Sequence, residues 1–205
     1  MTLTRGLALR TLIVASFVMQ SHRALAQPAP ARIELAGQFA WTAPSEFEGD
    51  DRGFGGRIGW RFDVVTVEAE VNLYPGEFPG EQGFSRSRFE ALFGASAGPR
   101  LGRVRPFAKV RPGLVRFRSP SEPLACILIF PPPLSCELAR GRTLFATDVG
   151  GGVDVLAGRG TFVRFDAGDR LVRYPGPVFD SDRNVHDTPF FSHELRVTAS
   201  AGVRF

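Results

Sequence analysis

The amino-acid sequence predicts an all-β fold, an eight-stranded antiparallel up-and-down transmembrane β-barrel, and three observations carry that expectation. Apolar and polar residues alternate with a period of two through much of the chain. The segments that interrupt the alternation are long and short in turn. The alternation then continues to the last residue, Phe205.

The chain opens with Arg5 and Arg10, an apolar run over 12–19 and the small triplet Ala24-Leu25-Ala26. This is the pattern of a secretory signal peptide over residues 1–26, cleaved before Gln27. The run is far shorter than the roughly 20 residues of a spanning helix. The segment carries Arg5, Arg10 and Arg23 and no acid, so its removal lowers the net charge from +4 to +1. The mature chain, 27–205, therefore gives no electrostatic support to nucleic-acid binding. It contains no Gly/Ser-rich or Pro-rich linker and reads as one domain, the barrel itself. Its most apolar run, 125–130, stops at three prolines. If the chain enters a membrane, it enters as strands, because only helices and closed barrels satisfy every backbone polar group in hydrocarbon.

The first strand, 33–42, sets Ile33, Leu35, Gly37, Phe39 and Trp41 on one face and Glu34, Ala36, Gln38, Ala40 and Thr42 on the other. The second, 53–62, has Phe54, Ile58, Trp60 and Phe62 opposite Arg57 and Arg61. The third, 65–73, alternates Val65, Val67, Ala69, Val71 and Leu73 with Thr66, Glu68, Glu70 and Asn72. The fourth, 89–98, opposes Phe89, Ala91, Phe93, Ala95 and Ala97 to Glu90 and Ser96. The fifth, 106–118, begins with Ala108 and Val110 opposite Lys109 and Arg111, after which Pro112 and Gly113 predict a β-bulge. The sixth, 143–156, sets Thr147, Val149, Gly151, Val153 and Val155 against Asp148, Gly150, Gly152 and Asp154. In the seventh, 161–173, Val163, Phe165 and Ala167 oppose Arg164 and Asp166, and the register is open beyond Gly168. The eighth is the most regular: Leu195, Val197, Ala199, Ala201, Val203 and Phe205 alternate with Glu194, Arg196, Thr198, Ser200, Gly202 and Arg204.

Four long connections, 43–52, 75–88, 119–142 and 174–192, are rich in Pro, Gly, Asp, Glu and Ser. Three short ones, 63–64, 99–105 and 157–160, fall between them. Short periplasmic turns and long extracellular loops give a membrane barrel this order. A soluble sandwich has no reason to sort its connections so.

Gly55-Gly56-Arg57-Ile58-Gly59-Trp60, then Val67-Glu68-Ala69-Glu70, and above all the segment 195–205 resemble the small eight-stranded outer-membrane barrels. That group includes the OmpA transmembrane domain and the opacity-type surface proteins. The resemblance implies a bacterial outer-membrane location, contact with outer-membrane lipids and lipopolysaccharide, and a monomer. It also implies that Leu195, Val197, Val203 and Phe205 form a C-terminal signal read by the barrel-assembly machinery. No peptidoglycan-binding domain follows the barrel, so an envelope-tethering role is not implied.

An eight-stranded barrel has an interior about wide enough for its own side chains. The inward faces supply the cations Arg57, Arg61, Lys109, Arg111, Arg164 and Arg196 and the anions Glu34, Glu68, Glu70, Glu90, Asp148, Asp154 and Asp166. Shielded charges are costly unless paired, so this near-balanced set points to a salt-bridge network filling the lumen, with a narrow gated pore as the alternative. The outward faces carry Phe, Val, Leu, Ala and Gly. Trp41, Trp60, Phe62, Tyr74, Phe117, Tyr174 and Phe205 stand near strand ends as candidate aromatic girdles.

Cys126 and Cys136 follow a signal peptide and are expected to form a disulfide worth on the order of 2–3 kcal/mol. No histidine or third cysteine is nearby, so neither a metal site nor a cofactor is expected. Enzymatic signals are weak. Gly94-Ala95-Ser96-Ala97-Gly98 fits the hydrolase nucleophile pattern but lies within a strand. Ser192 and His193, the residues a lipid hydrolase would use, are adjacent and so point to opposite faces. The expected role is a structural or surface-interaction one, with the apolar Ile127-Leu128-Ile129-Phe130 loop either a site of extracellular contact or packed against neighbouring loops or lipopolysaccharide. A soluble ligand-binding β-barrel is the other alternative, and it requires the reverse polarity.

Overall fold

The computed structural model describes residues 32–45, 50–75, 88–119, 129–157, 160–180 and 183–205. The signal segment 1–26 and Cys126 lie outside the described residues. In chain order the elements are β1 (Arg32–Ala43), β2 (Asp51–Phe62), β3 (Val65–Tyr74), β4 (Arg88–Ala97), β5 (Val104–Phe117), a short helix α1 (Leu134–Ala139), β6 (Thr143–Leu156), β7 (Thr161–Tyr174), β8 (Val178–Phe179), β9 (Val185–His186) and β10 (Phe190–Arg204). Eight of the strands form a closed antiparallel barrel in the order β1-β10-β7-β6-β5-β4-β3-β2. β8 and β9 pair separately as a small hairpin above it. No helix among the described residues is long and apolar enough to cross a membrane.

Alternation of side chains across a pleated strand decides which residues line the lumen. Inward positions are even-numbered on β1, β3, β4, β6, β7 and β10, and odd-numbered on β2 and β5. The seam between β10 and β1 runs from Glu34 opposite Arg204 to Ala43 opposite Leu195, so the regular last strand finds its partner in the first.

Two local expectations are revised. Pro112 and Gly113 make no bulge: β5 keeps one register against β6 from Val104–Val155 to Arg116–Thr143. Its inward and outward positions alternate throughout. Proline lacks only the N–H that would face β4, so the bridges of Phe93 and Gly94 are missing while pairing resumes at Ala95–Val110. β7 likewise continues past Gly168 in one register against both neighbours, which turns Arg170 inward.

The aromatic girdle is also corrected. Tyr74, Phe117 and Tyr174 are buried and face inward, because they share the parity of Glu70, Arg111 and Arg164 on their strands. Trp60, Phe62 and Phe205 are exposed at the short-turn end, where Trp60 and Phe62 stack with ring centroids 6.3 Å apart. Trp41 is half-buried at the long-loop end, and its indole N–H donates to Asp50 at 2.7 Å. That bond and a second from Arg52 hold the Asp50 carboxyl below the ordinary carboxylate range.

The long loops carry structure that their Pro-, Gly- and Ser-rich composition does not announce. Leu134 and Leu138, one turn apart on α1, pack with Val178 of β8 against Val115, Phe117, Leu144, Ala146, Val172 and Tyr174. This apolar cluster lies on the inner wall at the long-loop end.

Strand closure brings backbones close at inward glycines. A methyl at Gly150 would press on the backbone of Ala167 and Gly168, which cannot move aside, whereas nothing lies within 4 Å of one at Gly37. Gly150→Ala is expected to cost about 1–3 kcal/mol. It should therefore lower the folded fraction on an unboiled gel, with Gly37→Ala folding as the parent does.

Candidate functional site: the charged lumen and its two mouths

The barrel interior is built from charge, and three levels of it succeed one another along the axis. At the middle level Lys109 and Arg111 of β5 and Arg196 of β10 meet Glu70 of β3, Asp148 of β6 and Asp166 of β7. Arg111 lies 2.5 Å from Glu70 and bonds Asp148, and Arg196 reaches Asp148 at 2.9 Å while also bonding Glu70. Lys109 joins Asp148 at 2.9 Å to Asp166. Thr198 and Asn72 supply further donors, Thr198 to Asp166 at 2.6 Å and Asn72 to Glu70 at 2.7 Å.

At the long-loop end Arg170 bonds Glu194 and lies 2.5 Å from Glu90, while Tyr174 donates to Glu194 at 2.9 Å. Arg88 pairs with Asp51 at 2.7 Å, donates to Thr42 at 2.8 Å, and stands 4.6 Å over the Tyr74 ring. Tyr74 and Tyr174, offered by position alone as girdle residues, thus belong to the lumen network. At the short-turn end Arg57 lies 3.1 Å from Glu34 and 2.9 Å from Glu68. Arg164 bridges Glu68 at 2.8 Å and Asp154 at 2.6 Å, and Arg61 lies 2.5 Å from Glu34.

Each of the thirteen charged residues read from the alternation, Glu34, Arg57, Arg61, Glu68, Glu70, Glu90, Lys109, Arg111, Asp148, Asp154, Arg164, Asp166 and Arg196, has an opposite charge within 4 Å. Six more join them: Asp51, Arg88, Arg105, Arg170, Glu194 and Arg204. Glu194 and Arg204 had the right parity in the sequence. Arg170 needed the register beyond Gly168, Arg105 and Arg88 needed the true start of their strands, and Asp51 needed two more residues at the start of β2.

Of the residues weighed for hydrolysis, Ser96 is buried on β4, donates to Glu68 and accepts from Arg105 at 3.3 Å. Ser192 is buried, facing inward, while His193 is exposed beside Asp169 at 2.6 Å. The strand thus separates the Ser–His pair. Among the described residues no cluster of His, Cys, Asp and Glu is arranged to hold a metal ion. Leu195, Val197, Val203 and Phe205 are all exposed on the outer wall.

Over the long-loop mouth stand exposed Phe130 and Ile129, beside a cavity of about 420 Å³ lined also by Glu137, Arg140, Arg142 and Pro177. Glu137 accepts from Arg142 at 2.5 Å and pairs with Arg140 at 2.8 Å. Cys136 is buried on α1. In the β8–β9 hairpin, Asp180 accepts from the Asn184 N–H at 2.8 Å and is 3.1 Å from Nε2 of His186, whose ring stacks on Phe190. Partial burial pushes the Asp180 carboxyl up, but bonds from His186 and Asn184 outweigh it and hold the group below its ordinary value.

No family model matches the sequence, and no curated protein does. Solved structures do resemble the fold. Neisserial surface protein A is 16% identical, with a TM-score of 0.50 over 87% of this chain and 98% of that one. The outer membrane protein OprG from Pseudomonas aeruginosa is 14% identical, with a TM-score of 0.51 over 85% of this chain and 96% of that one. The likeness shows the fold, a small eight-stranded barrel of the outer-membrane type.

Arg111→Met leaves Glu70 and Asp148 short of a buried partner and is expected to destabilise the folded barrel by about 3–5 kcal/mol in urea titrations. Arg52→Ala, which removes an exposed ion pair with Asp50, should leave the midpoint unchanged. Because the Asp180 value is depressed on folding, its contribution is present above the ordinary carboxylate range and lost as pH falls through the depressed value. Amide-exchange protection of Asn184 is expected to follow that course and to lose its pH dependence in Asp180→Asn.

Proposed function

We propose that the chain is an integral protein of the bacterial outer membrane with a structural and surface-interaction role, and that it is not an enzyme. One observation carries the reading: the closed sheet is inside out. Phe39, Phe54, Ile58, Trp60, Phe93, Val110 and Phe165 are among many large apolar residues exposed on the outer wall, while arginines are the largest fully buried side chains. A water-soluble barrel of this polarity would expose far more contiguous apolar surface than monomers tolerate, whereas hydrocarbon accepts it. The printed names of the solved relatives, a surface protein and an outer membrane protein, agree with this location.

The lumen network serves as a plug. Every described lumen charge has an opposite charge from another strand within 4 Å, so passage of an ion requires breaking buried pairs, which is energetically steep. The surface role rests on the long-loop mouth. Phe130, 85% exposed, projects beside the cavity between α1 and Pro177, with the guanidinium groups of Arg140 and Arg142 on its rim. That combination suits a protein partner offering an apolar side chain next to a carboxylate. A Cys126–Cys136 disulfide would tie the loop bearing Phe130 to α1, and the exposed His193–Asp169 pair toward the long-loop end would meet lipopolysaccharide headgroups.

In sucrose-gradient fractionation the protein is expected in the outer-membrane fraction, extractable only with detergent and running faster unboiled than boiled. A chain recovered soluble in the periplasm overturns the membrane reading. Deletion of residues 127–135 should leave that behaviour intact while abolishing binding of whole cells to host or matrix protein; unchanged binding overturns the surface role.

A further inference from the structure

We propose that the short-turn end of the lumen is a binding site for a small inorganic anion, of the halide or phosphate class. The inference rests on the closed barrel and its charges and is independent of the function proposed above.

Charge is not evenly distributed along the axis. Among the described residues the middle level sets Lys109, Arg111 and Arg196 against Glu70, Asp148 and Asp166. The long-loop level sets Arg88 and Arg170 against Asp51, Glu90 and Glu194. At the short-turn level Arg57, Arg61, Arg105, Arg164 and Arg204 crowd round only Glu34, Glu68 and Asp154. Glu34 has Arg57 at 3.1 Å, Arg61 at 2.5 Å and Arg204 at 2.9 Å. Asp154 has Arg164 at 2.6 Å, Arg61 at 3.3 Å, Arg204 at 3.4 Å and Arg105 at 3.6 Å. Two positive charges are therefore left over at this level, and Glu68 is shared further with Arg111 at 3.5 Å.

A guanidinium cannot shed its proton in a protein, so the surplus cannot be relieved by titration. Leaving it unmet in a shielded lumen is costly, because the ion has given up its water without a partner. Among the described side chains, the other charged groups at this end, Asp63, Arg100, Arg103 and the Phe205 carboxylate, belong to exposed residues, where solvent and salt screen them.

Open donors accompany the surplus. The Nε–H groups of Arg57, Arg61 and Arg105 are buried without a hydrogen-bond acceptor, three at this one level against one each at the others, Arg196 and Arg88. Arg204 Nε stands near Glu34 Oε1 but out of line for a bond. Arg57 and Arg105 are more than nine-tenths buried. Phe107 and Phe162 face three of these groups: Arg105 lies 5.7 Å over Phe107, and Arg57 and Arg204 lie 5.5 Å and 4.7 Å over Phe162. The rings offer no acceptor to an in-plane N–H, which leaves those donors to an anion. Entry is from the turn side, where the Arg61 and Arg204 side chains keep 11% and 7% of their exposure. A lipid phosphate reaching in from the leaflet would present the same chemistry, and the test separates the two.

The mature chain, folded in a sugar-headgroup detergent free of phosphate, is titrated into chloride and followed by ³⁵Cl NMR linewidth. Broadening is expected, with inorganic phosphate reversing it. Arg105→Gln and Arg204→Gln should each weaken chloride binding about tenfold, the loss of one charge-assisted hydrogen bond. Arg88→Gln, at the opposite end, should leave it unchanged. Arg204 is at the mouth, and without it Glu34 keeps Arg57 and Arg61 and Asp154 keeps Arg164 and Arg61, so its variant serves if Arg105→Gln does not fold. In parallel, replacing chloride by gluconate at constant ionic strength should lower the unfolding midpoint of the parent protein but not of Arg204→Gln. No broadening by the parent, or equal broadening by the parent and Arg204→Gln, overturns the site. Displacement by a short-chain phosphatidate but not by inorganic phosphate overturns it in favour of a lipid headgroup.

Discussion

The hydrogen-bonded seam between β1 and β10 is the constraint on which the rest of this molecule depends. Once the last strand pairs with the first, no edge is left with unpaired N–H and C=O groups, and the sheet can stand in a medium without water. Closure also divides the side chains into two populations that cannot exchange. An odd residue of β1 or β10 faces out and an even one faces in, and a slip by one position would move every charge to the apolar wall. The register is therefore fixed by the same alternation that makes the strands.

Closure makes the interior a place where charge must find charge. A single guanidinium there, stripped of water, would carry a penalty of several kcal/mol, so among the described residues each has a carboxylate of another strand within 4 Å, and all but Arg88 and Arg105 have two or more. Arg111 of β5 touches carboxylates of β3, β6 and β7, and Arg196 of β10 touches those of β3, β4 and β6. Such contacts tie strands that are not neighbours in the sheet. They brace the barrel across its diameter, a direction in which backbone hydrogen bonds do nothing.

The two mouths are finished differently. At the long-loop end the wall turns apolar, and α1 with β8 packs onto it as in a small soluble core. At the short-turn end no described residue forms such a cover, and arginines stack on Phe107 and Phe162 instead. An apolar lid can be built only where the connections are long enough to fold, and turns as short as 63–64 are not. What fills the turn end must therefore come from the strands themselves or from solution.

The sequence by itself determined the strand count, the faces and the order of long and short connections, because a period of two is a local property that each segment displays alone. It also contained the inward parity of Tyr74, Phe117 and Tyr174, which position near strand ends obscured. Tertiary structure decided which charges meet: Arg164 and Glu68, or Arg196 and Glu70, are brought together by closure across the lumen and by nothing in their spacing along the chain. It decided as well that β5 runs straight through Pro112 and β7 through Gly168, since two flanking strands hold a register that neither residue could fix alone. Helix α1 belongs to the same category: six residues are too few to announce a helix, and Leu134 and Leu138 become one only when a wall is there to receive them.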